Sequence, residues 1–343
     1  MLFVRRRALV SLSLMATYAA TAAPMRAART TLLVGTKRDP ASQNIVNALL
    51  SHTPAVLLPF GEESLGLFQS EGGRVVLWHQ EESLLKLDDV HETVGRLMGG
   101  GTFDEILFLS RHTAASGTAS LTVHPIGVPW LSEPCPKSGG IPGRCSPPHK
   151  DIASIFRKLV RLSKSRGLDK RFQLTMEATH HGPFASIPTA FVEIGSTEEH
   201  WPDAVAGEVW RDVLIEYLRL NPGAAGSVEE EGEVADEDKV ALVIFGGSHY
   251  VPKANDWAKL SSRAVTGHSL ASYALTPLIE AGTFAAAVDE CLTSTRMTHS
   301  RAELLVLVDL KGEARDKVLN HLADKHVGVR TFSDFKSLKN FFK

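Results

Sequence analysis

Phe172-Gln173-Leu174-Thr175-Met176-Glu177-Ala178-Thr179-His180-His181-Gly182-Pro183 is the stretch that decides the reading of this chain. Phe172, Leu174, Met176 and Ala178 alternate with Gln173, Thr175, Glu177 and Thr179, the period of two of a half-buried strand. Gly182-Pro183 stops the pairing, and two histidines stand where the strand runs out. Successive strand residues point to opposite faces. His180 is therefore expected on the Met176/Ala178 side and His181 on the Glu177/Thr179 side. Polar groups gathered at a strand end can bind a ligand, move a proton or hold a metal. The plainer alternative is that both histidines bond only loop backbone.

Working outward, short apolar runs repeat. Thr30 to Gly35, Ala55 to Pro59, Arg74 to Trp78 and Glu105 to Ser110 read as strands, with a helix over Ser42 to Leu50. Leu121 to His124, Ala190 to Ile194, Val240 to Phe245, Leu304 to Val308 and Val327 to Thr331 read as further strands. Helices are expected over Asp151 to Gly167, Ser196 to Leu220, Pro277 to Leu292 and Gly312 to His326. Strands alternating with helices predict an α/β fold with a mostly parallel central sheet flanked by helices. Ligands in such folds collect beyond the carboxyl ends of the strands, where Ser110-Arg111-His112 and His180-His181 are both expected.

Several segments carry a second reading. Pro125 to His149, rich in Pro and Gly, reads as a surface loop; Cys135, Cys145 and His149 within it lack the close paired spacing of a structural zinc site. The Asp151 helix presents Arg157, Lys158, Arg161, Lys164 and Arg166, with Lys170 and Arg171 just after. This is either a solvated face or a phosphate-binding patch. Ser196 with Glu199 matches a capping box, and Glu193 and Glu198 lie at the same strand–helix junction. Residues 225–239 are acidic and read as a flexible insertion, and the Lys-rich carboxyl terminus reads as exposed. Gly246-Gly247 after a strand permits close backbone approach to a phosphate or a terminal ribose.

Of 343 residues, 43% are hydrophobic and 22% charged, with formal net charge -2, which excludes a wholly disordered chain and a strongly basic nucleic-acid coat. A local basic patch still suffices for phosphate contacts. Three cysteines give no disulfide framework and fit a reducing compartment. Residues 1–29 are set apart as a targeting-like or disordered extension: residues 1–38 hold no Asp or Glu, and Arg punctuates an Ala-rich run. That composition suits an organellar transit peptide and also imitates a secretory signal, and Met25 offers an alternative start. The apolar run from Ala8 to Ala23 is too short and too interrupted for a transmembrane helix, so no membrane partner is expected.

Histidines recur at strand and loop ends: His112, His124, His180 with His181, His249 and His268. Hydrolysis is the natural chemistry. A neutral imidazole can deprotonate water, and two histidines with a carboxylate can bind a divalent metal that acidifies it. No Gly-x-Ser-x-Gly elbow, P-loop or His-Glu-x-x-His occurs, and Cys291 has no activating motif.

Taken together, Ser110-Arg111-His112, Ser120 to His124, Glu177 to Pro183, Glu193 to Glu199 and Gly246-Gly247-Ser248-His249-Tyr250 resemble the archaeal and plant D-aminoacyl-tRNA deacylases, over about Leu32 to Thr331. The resemblance makes residues 30–343 the deacylase domain. It implies a fold similar to nucleoside phosphorylases and peptidyl-tRNA hydrolase, a zinc cofactor, a monomer, a cytoplasmic location (or an organelle, through residues 1–29), and tRNA charged with a D-amino acid as partner. It implies hydrolysis of the D-aminoacyl ester, and removal of N-ethyl-D-aminoacyl adducts formed with acetaldehyde. Glu177, Thr179, His180, His181, His112 and His249 are then the expected catalytic groups, with His180, His181 and Glu177 as metal ligands. Ser110, Arg111, His124, Gly246, Gly247, Ser248, Tyr250, Arg157 and Arg161 are expected at the substrate. Two other readings stand beside it: a nucleoside phosphorylase-like enzyme, and a non-catalytic tRNA-binding module using the Arg157 to Arg171 patch.

Overall fold

A computed structural model describes residues 29–60, 63–70, 73–131, 138–220, 234–326 and 328–342. Residues 1–28, which carry most of the targeting-like extension, lie outside the described residues, as do Cys135 and most of the acidic insertion.

In chain order, β1 (Arg29–Thr36) leads to α1 (Pro40–His52), β2 (Ala55–Phe60), β3 (Glu63–Ser70), β4 (Gly73–Gln80), α2 (Val90–Leu97), β5 (Glu105–Arg111) and β6 (Ser120–His124). A small hairpin ladder, β7 (Gly127–Val128) with β8 (Arg144–Cys145), precedes α3 (Ile152–Ser165), β9 (Gln173–Met176), β10 (Thr189–Gly195) and α4 (Ala204–Leu218). Then follow β11 (Val240–Gly246), α5 (Pro252–Ala258), β12 (Ala264–Leu270), α6 (Ser272–Glu280), α7 (Phe284–Thr298), β13 (Glu303–Asp309), α8 (Gly312–Lys325), β14 (Arg330–Phe332) and α9 (Phe335–Phe342).

The α/β class holds, but the strands form two principal sheets where one was expected. The larger runs β2-β3-β4-β1-β5-β10-β6-β9, parallel from β4 to β10 and antiparallel where β10 meets β6. The smaller, β12-β11-β13-β14, is parallel throughout. Strands buried on both faces need apolar residues at every position, which explains the unbroken runs in β1 and β5. Leu33 and Leu107 face one cluster with Ile45 and Trp210, whereas Leu32, Val34, Ile106 and Phe108 face another with Val90 and Val94. The first cluster also takes in Leu242, Ile244, Leu305 and Leu307, so one core joins both sheets beneath α3.

Several boundaries differ from expectation for local reasons. β3 went unread because Gly66 interrupts its alternation. The helix expected from Ser196 begins at Ala204, because Asp203 is the cap: its Oδ1 accepts from the amide of Ala206 at 2.9 Å. Ser196 instead donates its amide to His200 Nδ1 at 3.2 Å, so the Ser196/Glu199 capping box does not form. Pro277 to Leu292 is two helices, parted by Gly282 at φ 72°. The Lys-rich end folds as α9, seating Leu338 and packing Phe342 against Trp257 with ring centres 4.5 Å apart. Of the acidic insertion, Asp236 to Asp238 form a short turn with no buried residue.

Arg29, grouped by composition with the extension, belongs to the fold. Its Nη1 lies 3.2 Å from Glu105 Oε2 and from Asp151 Oδ2, and 2.7 Å from the Tyr217 hydroxyl. His149 Nε2 approaches Glu105 Oε2 at 3.3 Å, and Thr31 donates its hydroxyl to Oε1 at 2.7 Å. This network ties β1, β5, the start of α3 and α4 together. Burial would raise the Glu105 pKa, but His149, Arg29 and Thr31 outweigh it and hold the group down from 4.5 to about 2. A depressed carboxylate contributes stability that is complete above its unfolded pKa and is lost as pH falls through the folded one. Glu105→Gln is expected to cost on the order of 3 kcal/mol at neutral pH. The two melting points should converge between about pH 4.5 and pH 2, which thermal denaturation across that range checks.

Candidate active site

The site is built across β10. Glu193 stands opposite Ser110 of β5 on one side and Thr122 of β6 on the other, with Phe191 opposite His124. Directly paired residues share a face. The apolar Phe108/Phe191 stack (4.7 Å) therefore continues into a polar row of Ser110, Glu193, Thr122 and His124. Expectation placed His112 and His180-His181 beyond strand carboxyl ends, with His124 at the end of its own strand. In fact β6 runs antiparallel to β10, so His112 after β5 and His124 at the end of β6 reach Glu193 from opposite directions. His112 Nδ1 and His124 Nε2 both lie 3.6 Å from Glu193 Oε2, to which the Thr122 hydroxyl donates at 3.2 Å.

The stretch Glu177 to His181 closes the site from above. Regular pairing of β9 ends at Met176, and the chain then crosses to the second sheet. The amide of Ala178 donates to the His249 carbonyl at 2.8 Å, and that of Thr179 to Ser269 at 2.6 Å. Because the strand stops, the expected alternation fails: His180 Nε2 turns toward Glu177 Oε2 at 3.5 Å. His181, at φ 40°, directs its carbonyl to the amide of Gly127 at 2.9 Å and packs edge-on to Phe191. A non-glycine residue there costs about 1–2 kcal/mol.

Glu177 is the centre of the second group. Its side chain is 0% exposed. His112 Nδ1 lies 3.1 Å from Oε1 and His249 Nε2 lies 3.0 Å from Oε2, but off hydrogen-bonding directions, leaving both oxygens without a hydrogen-bond partner. His124 Nε2 is likewise buried without one. The rings of His124 and His180 stack at 4.3 Å, and His180 lies 4.4 Å from His181 and 4.8 Å from His249.

Charge divides these groups in two. Burial would lower the pKa values of His112 and His124, but Glu193 and Glu177 overcome it and hold both above the ordinary value. Burial opposes ionisation of Glu193 too, yet His112 and His124 keep it ionised well below the usual carboxylate range. Burial, reinforced by the neighbouring histidines, pushes His180 far down. His181, buried beside His124, falls to about 4, so both stay neutral at physiological pH.

Three overlapping sets place their donor atoms within 4.8 Å of one another: His112, Glu177 and His249; His124, His180 and His181; and His124, Glu177 and Glu193. The expected ligand set of His180, His181 and Glu177 is thus split, because His181 turns back toward His124 and Phe191. Thr179 is displaced from the expected catalytic group: its hydroxyl is buried, bonded to His268 Nδ1 at 2.9 Å and to the Ser269 amide at 3.1 Å. His268, pushed down to about 3 by burial, reaches Ser294 at 3.2 Å and does not join the cluster.

Of the expected substrate contacts, Tyr250 bonds His112 Nε2 through its hydroxyl at 2.9 Å. Arg111 is exposed at the rim, its guanidinium over Trp201 at 5.0 Å and its amide donating to Asp39 Oδ2 at 2.9 Å. The Ser110 hydroxyl turns to the Arg111 carbonyl (3.2 Å) and that of Ser248 to the Tyr250 carbonyl (3.3 Å). The close approach that Gly246 and Gly247 permit is internal: a Cβ there would stand 2.3 Å from the Asp309 carbonyl or 2.8 Å from its carboxylate. Arg157 is engaged with the carbonyls of Ala258 (2.9 Å) and Ser261, and Arg161 pairs with Glu216. Arg166 pairs with Glu208 and Asp212, and Arg171 with Asp203, so acids of α4 and its cap neutralise much of the basic patch. Of Cys135, Cys145 and His149, Cys135 lies outside the described residues, Cys145 is buried and His149 faces Glu105.

Sequence reasoning left Glu193 without a role, although a carboxylate inside Phe-Val-Glu-Ile is the signal that could have found it. Tyr273, 57% exposed with its hydroxyl 3.4 Å from His249 Nδ1, gave no such signal.

Fold and site define the class: an α/β protein with a buried glutamate–histidine centre suited to activating water. The family model of the D-aminoacyl-tRNA deacylases matches residues 100–330, and the chain belongs to that family of hydrolases acting on aminoacyl-tRNA esters. It is similar to the D-aminoacyl-tRNA deacylase of Arabidopsis thaliana, 34% identical over 89% of this chain and 99% of the relative. The Archaeoglobus fulgidus enzyme of the same name is 29% identical over 90% and 98%. A crystal structure of a conserved protein of unknown function matches with TM-score 0.69 at 26% identity, covering 92% of this chain and 98% of that one.

Thr179→Val separates a structural role from a catalytic one. Removing the Thr179 hydroxyl from the buried Ser269 amide and from His268 Nδ1 should cost about 1–3 kcal/mol in urea denaturation, while kcat on aminoacyl-tRNA stays within a few-fold. A kcat loss of a hundredfold or more with unchanged stability would return Thr179 to the catalytic group.

Proposed function

We propose that this chain hydrolyses the ester joining a D-amino acid to the 3′ end of tRNA, with Glu177 at the reacting centre. The observation that carries this is the Glu177 carboxylate. It is buried among four imidazoles and bonded by none of them, so that water or a cation must complete it. Family membership supports the deacylase reading over the phosphorylase one, and the pairing of α3 with α4 weakens the binding-module reading.

Imidazole nitrogen and carboxylate oxygen are the donor types zinc takes, and the unpartnered Glu177 oxygens and His124 Nε2 fit such an ion. His112, Glu177 and His249 would hold it, with His124, His180 and His181 as the adjoining set. Bound zinc supplies a Lewis acid that lowers the pKa of water. The chain's own groups do the rest. His180 and His181, kept neutral, are able to accept the proton as water oxygen bonds to the ester carbonyl carbon. The same imidazoles can return that proton to the ribose oxygen as the ester bond breaks, while the Tyr250 hydroxyl on His112 Nε2 keeps its Nδ1 turned to Glu177. Arg111 at the rim meets the terminal phosphate or the developing oxyanion. On the family resemblance, the partner is tRNA charged with a D-amino acid, the acting form a monomer, and the location the cytoplasm, or an organelle reached through residues 1–29. Among the described residues no helix is long and apolar enough to cross a membrane.

Release of labelled tyrosine from D-Tyr-tRNA, N-ethyl-D-Tyr-tRNA and L-Tyr-tRNA by the full chain tests this reading. Both D-esters should be cleaved and the L-ester spared; chelation should abolish the activity and zinc restore it. Glu177→Gln should lower kcat about 10²–10⁴-fold in a chain that still folds, as its melting curve would show. Binding of tRNA without cleavage of any ester would replace the deacylase reading with the binding module.

A further inference from the structure

Among the described residues, one further cluster outside the Glu177 centre brings metal-binding side chains together. Asp289 projects from α7, His321 lies in the last turn but one of α8, and His326 follows the end of that helix. Asp289 Oδ1 stands 2.6 Å from His321 Nε2 and 2.7 Å from His326 Nε2, and the three donor atoms lie within 4.8 Å of one another. We infer that these three residues form a second metal site, for a late first-row divalent cation of which zinc is the natural occupant, joining α7 to α8.

The donor set selects the metal. Two imidazole nitrogens with one carboxylate oxygen suit zinc and its neighbours, whereas calcium and magnesium take oxygen-rich sites. The donors are positioned before any ion arrives. His321 packs edge-on to Phe284 at 5.7 Å. The His326 amide donates to Leu322 at 2.9 Å and its carbonyl accepts from Val329 at 3.0 Å, which fixes the residue where the helix ends. The packing steadies the His321 ring, and the backbone bonds steady the main chain that carries His326. The side chains are 13%, 19% and 45% exposed for His321, His326 and Asp289, so an ion can enter and keep water on its open side.

Ligands about 2.0–2.1 Å from a tetrahedral zinc stand roughly 3.3 Å apart. Opening the present contacts by little more than half an ångström makes that room, and the half-exposed Asp289 carboxylate is free enough to move so far. Without an ion the same contacts are ordinary hydrogen bonds to a carboxylate. The two states differ in what crosses between the helices. α7 and α8 cover the second sheet with Val288, Cys291 and Leu292 from one helix and Val318 and Leu322 from the other. A cation bound by both clips that layer together, and it shares no residue with the Glu177 centre.

Zinc titration of the chelator-stripped full chain by calorimetry, paired with thermal melts, tests the site against His321→Ala/His326→Ala. The double variant should bind one equivalent fewer per chain and lose part of the zinc-dependent rise in melting temperature, while its D-aminoacyl-tRNA hydrolysis stays unchanged. Cobalt substituted for zinc should show one visible spectrum fewer in the variant. If the double variant does not fold, His326→Ala alone, which leaves the backbone bonds of that residue in place, is held to the same criterion. Equal stoichiometry and an equal melting rise in wild type and variant would overturn the site and leave a hydrogen-bonded cluster. This outcome is independent of whether the deacylase reading holds.

Discussion

Two backbone bonds hold the site together: the amides of Ala178 and Thr179 donate to the carbonyls of His249 and Ser269, carrying the chain from the end of β9 onto the second sheet. The Thr179 side chain adds the Ser269 amide and His268 to the same seam. Glu177 is thereby turned away from both cores into the space between the sheets. His112 approaches it from the large sheet and His249 from the small one. Neither sheet alone supplies the centre. Its geometry rests on the registration of two sheets, and that registration rests on one shared core beneath α3.

The two buried glutamates illustrate opposite solutions to the same problem. Glu193 is compensated: Thr122 donates to it, and His112 and His124 stand on either side. Glu177 has nitrogens nearby and no hydrogen bond. Each hydrogen bond that a buried carboxylate oxygen does not make forgoes about 1 kcal/mol. Stability therefore does not explain its presence, whereas a water or cation delivered to it does. On the deacylase reading, Glu193 is the fixed base plate and Glu177 the working group.

Much of the fold could be read from periodicity alone, because strands buried on both faces are continuous apolar runs and helices show a one-sided stripe. What failed was arrangement. Nothing in Leu121 to His124 distinguishes a parallel strand from an antiparallel one, so the opposed approach of His112 and His124 to Glu193 was illegible. The alternation rule misplaced His180 and His181 because it presumes a strand that continues, and β9 stops at Met176. Ser196/Glu199 imitated a cap that Asp203 supplies. The histidines were legible as a group, since their shared position at segment ends survives errors of topology. Their division into charged and neutral members was not, because it depends on which lie beside Glu193.

On the deacylase reading, the same charges bear on how tRNA is held. A net charge of -2 provides little long-range attraction for a polyanion, and phosphate contacts come only from cations free to make them. Along α3 those cations are largely committed: Arg161, Arg166 and Arg171 to carboxylates, Arg157 to carbonyls. Arg111, stacked on Trp201 at the rim and next to His112, has the position that they lack. Tyr273 presents an exposed ring beside His249, a surface on which an unpaired base can stack for about 1–3 kcal/mol. Recognition is then concentrated at the acceptor end, where the ester lies. The body of the tRNA contributes less, and affinity should fall with salt far less steeply than for a protein that grips the duplex.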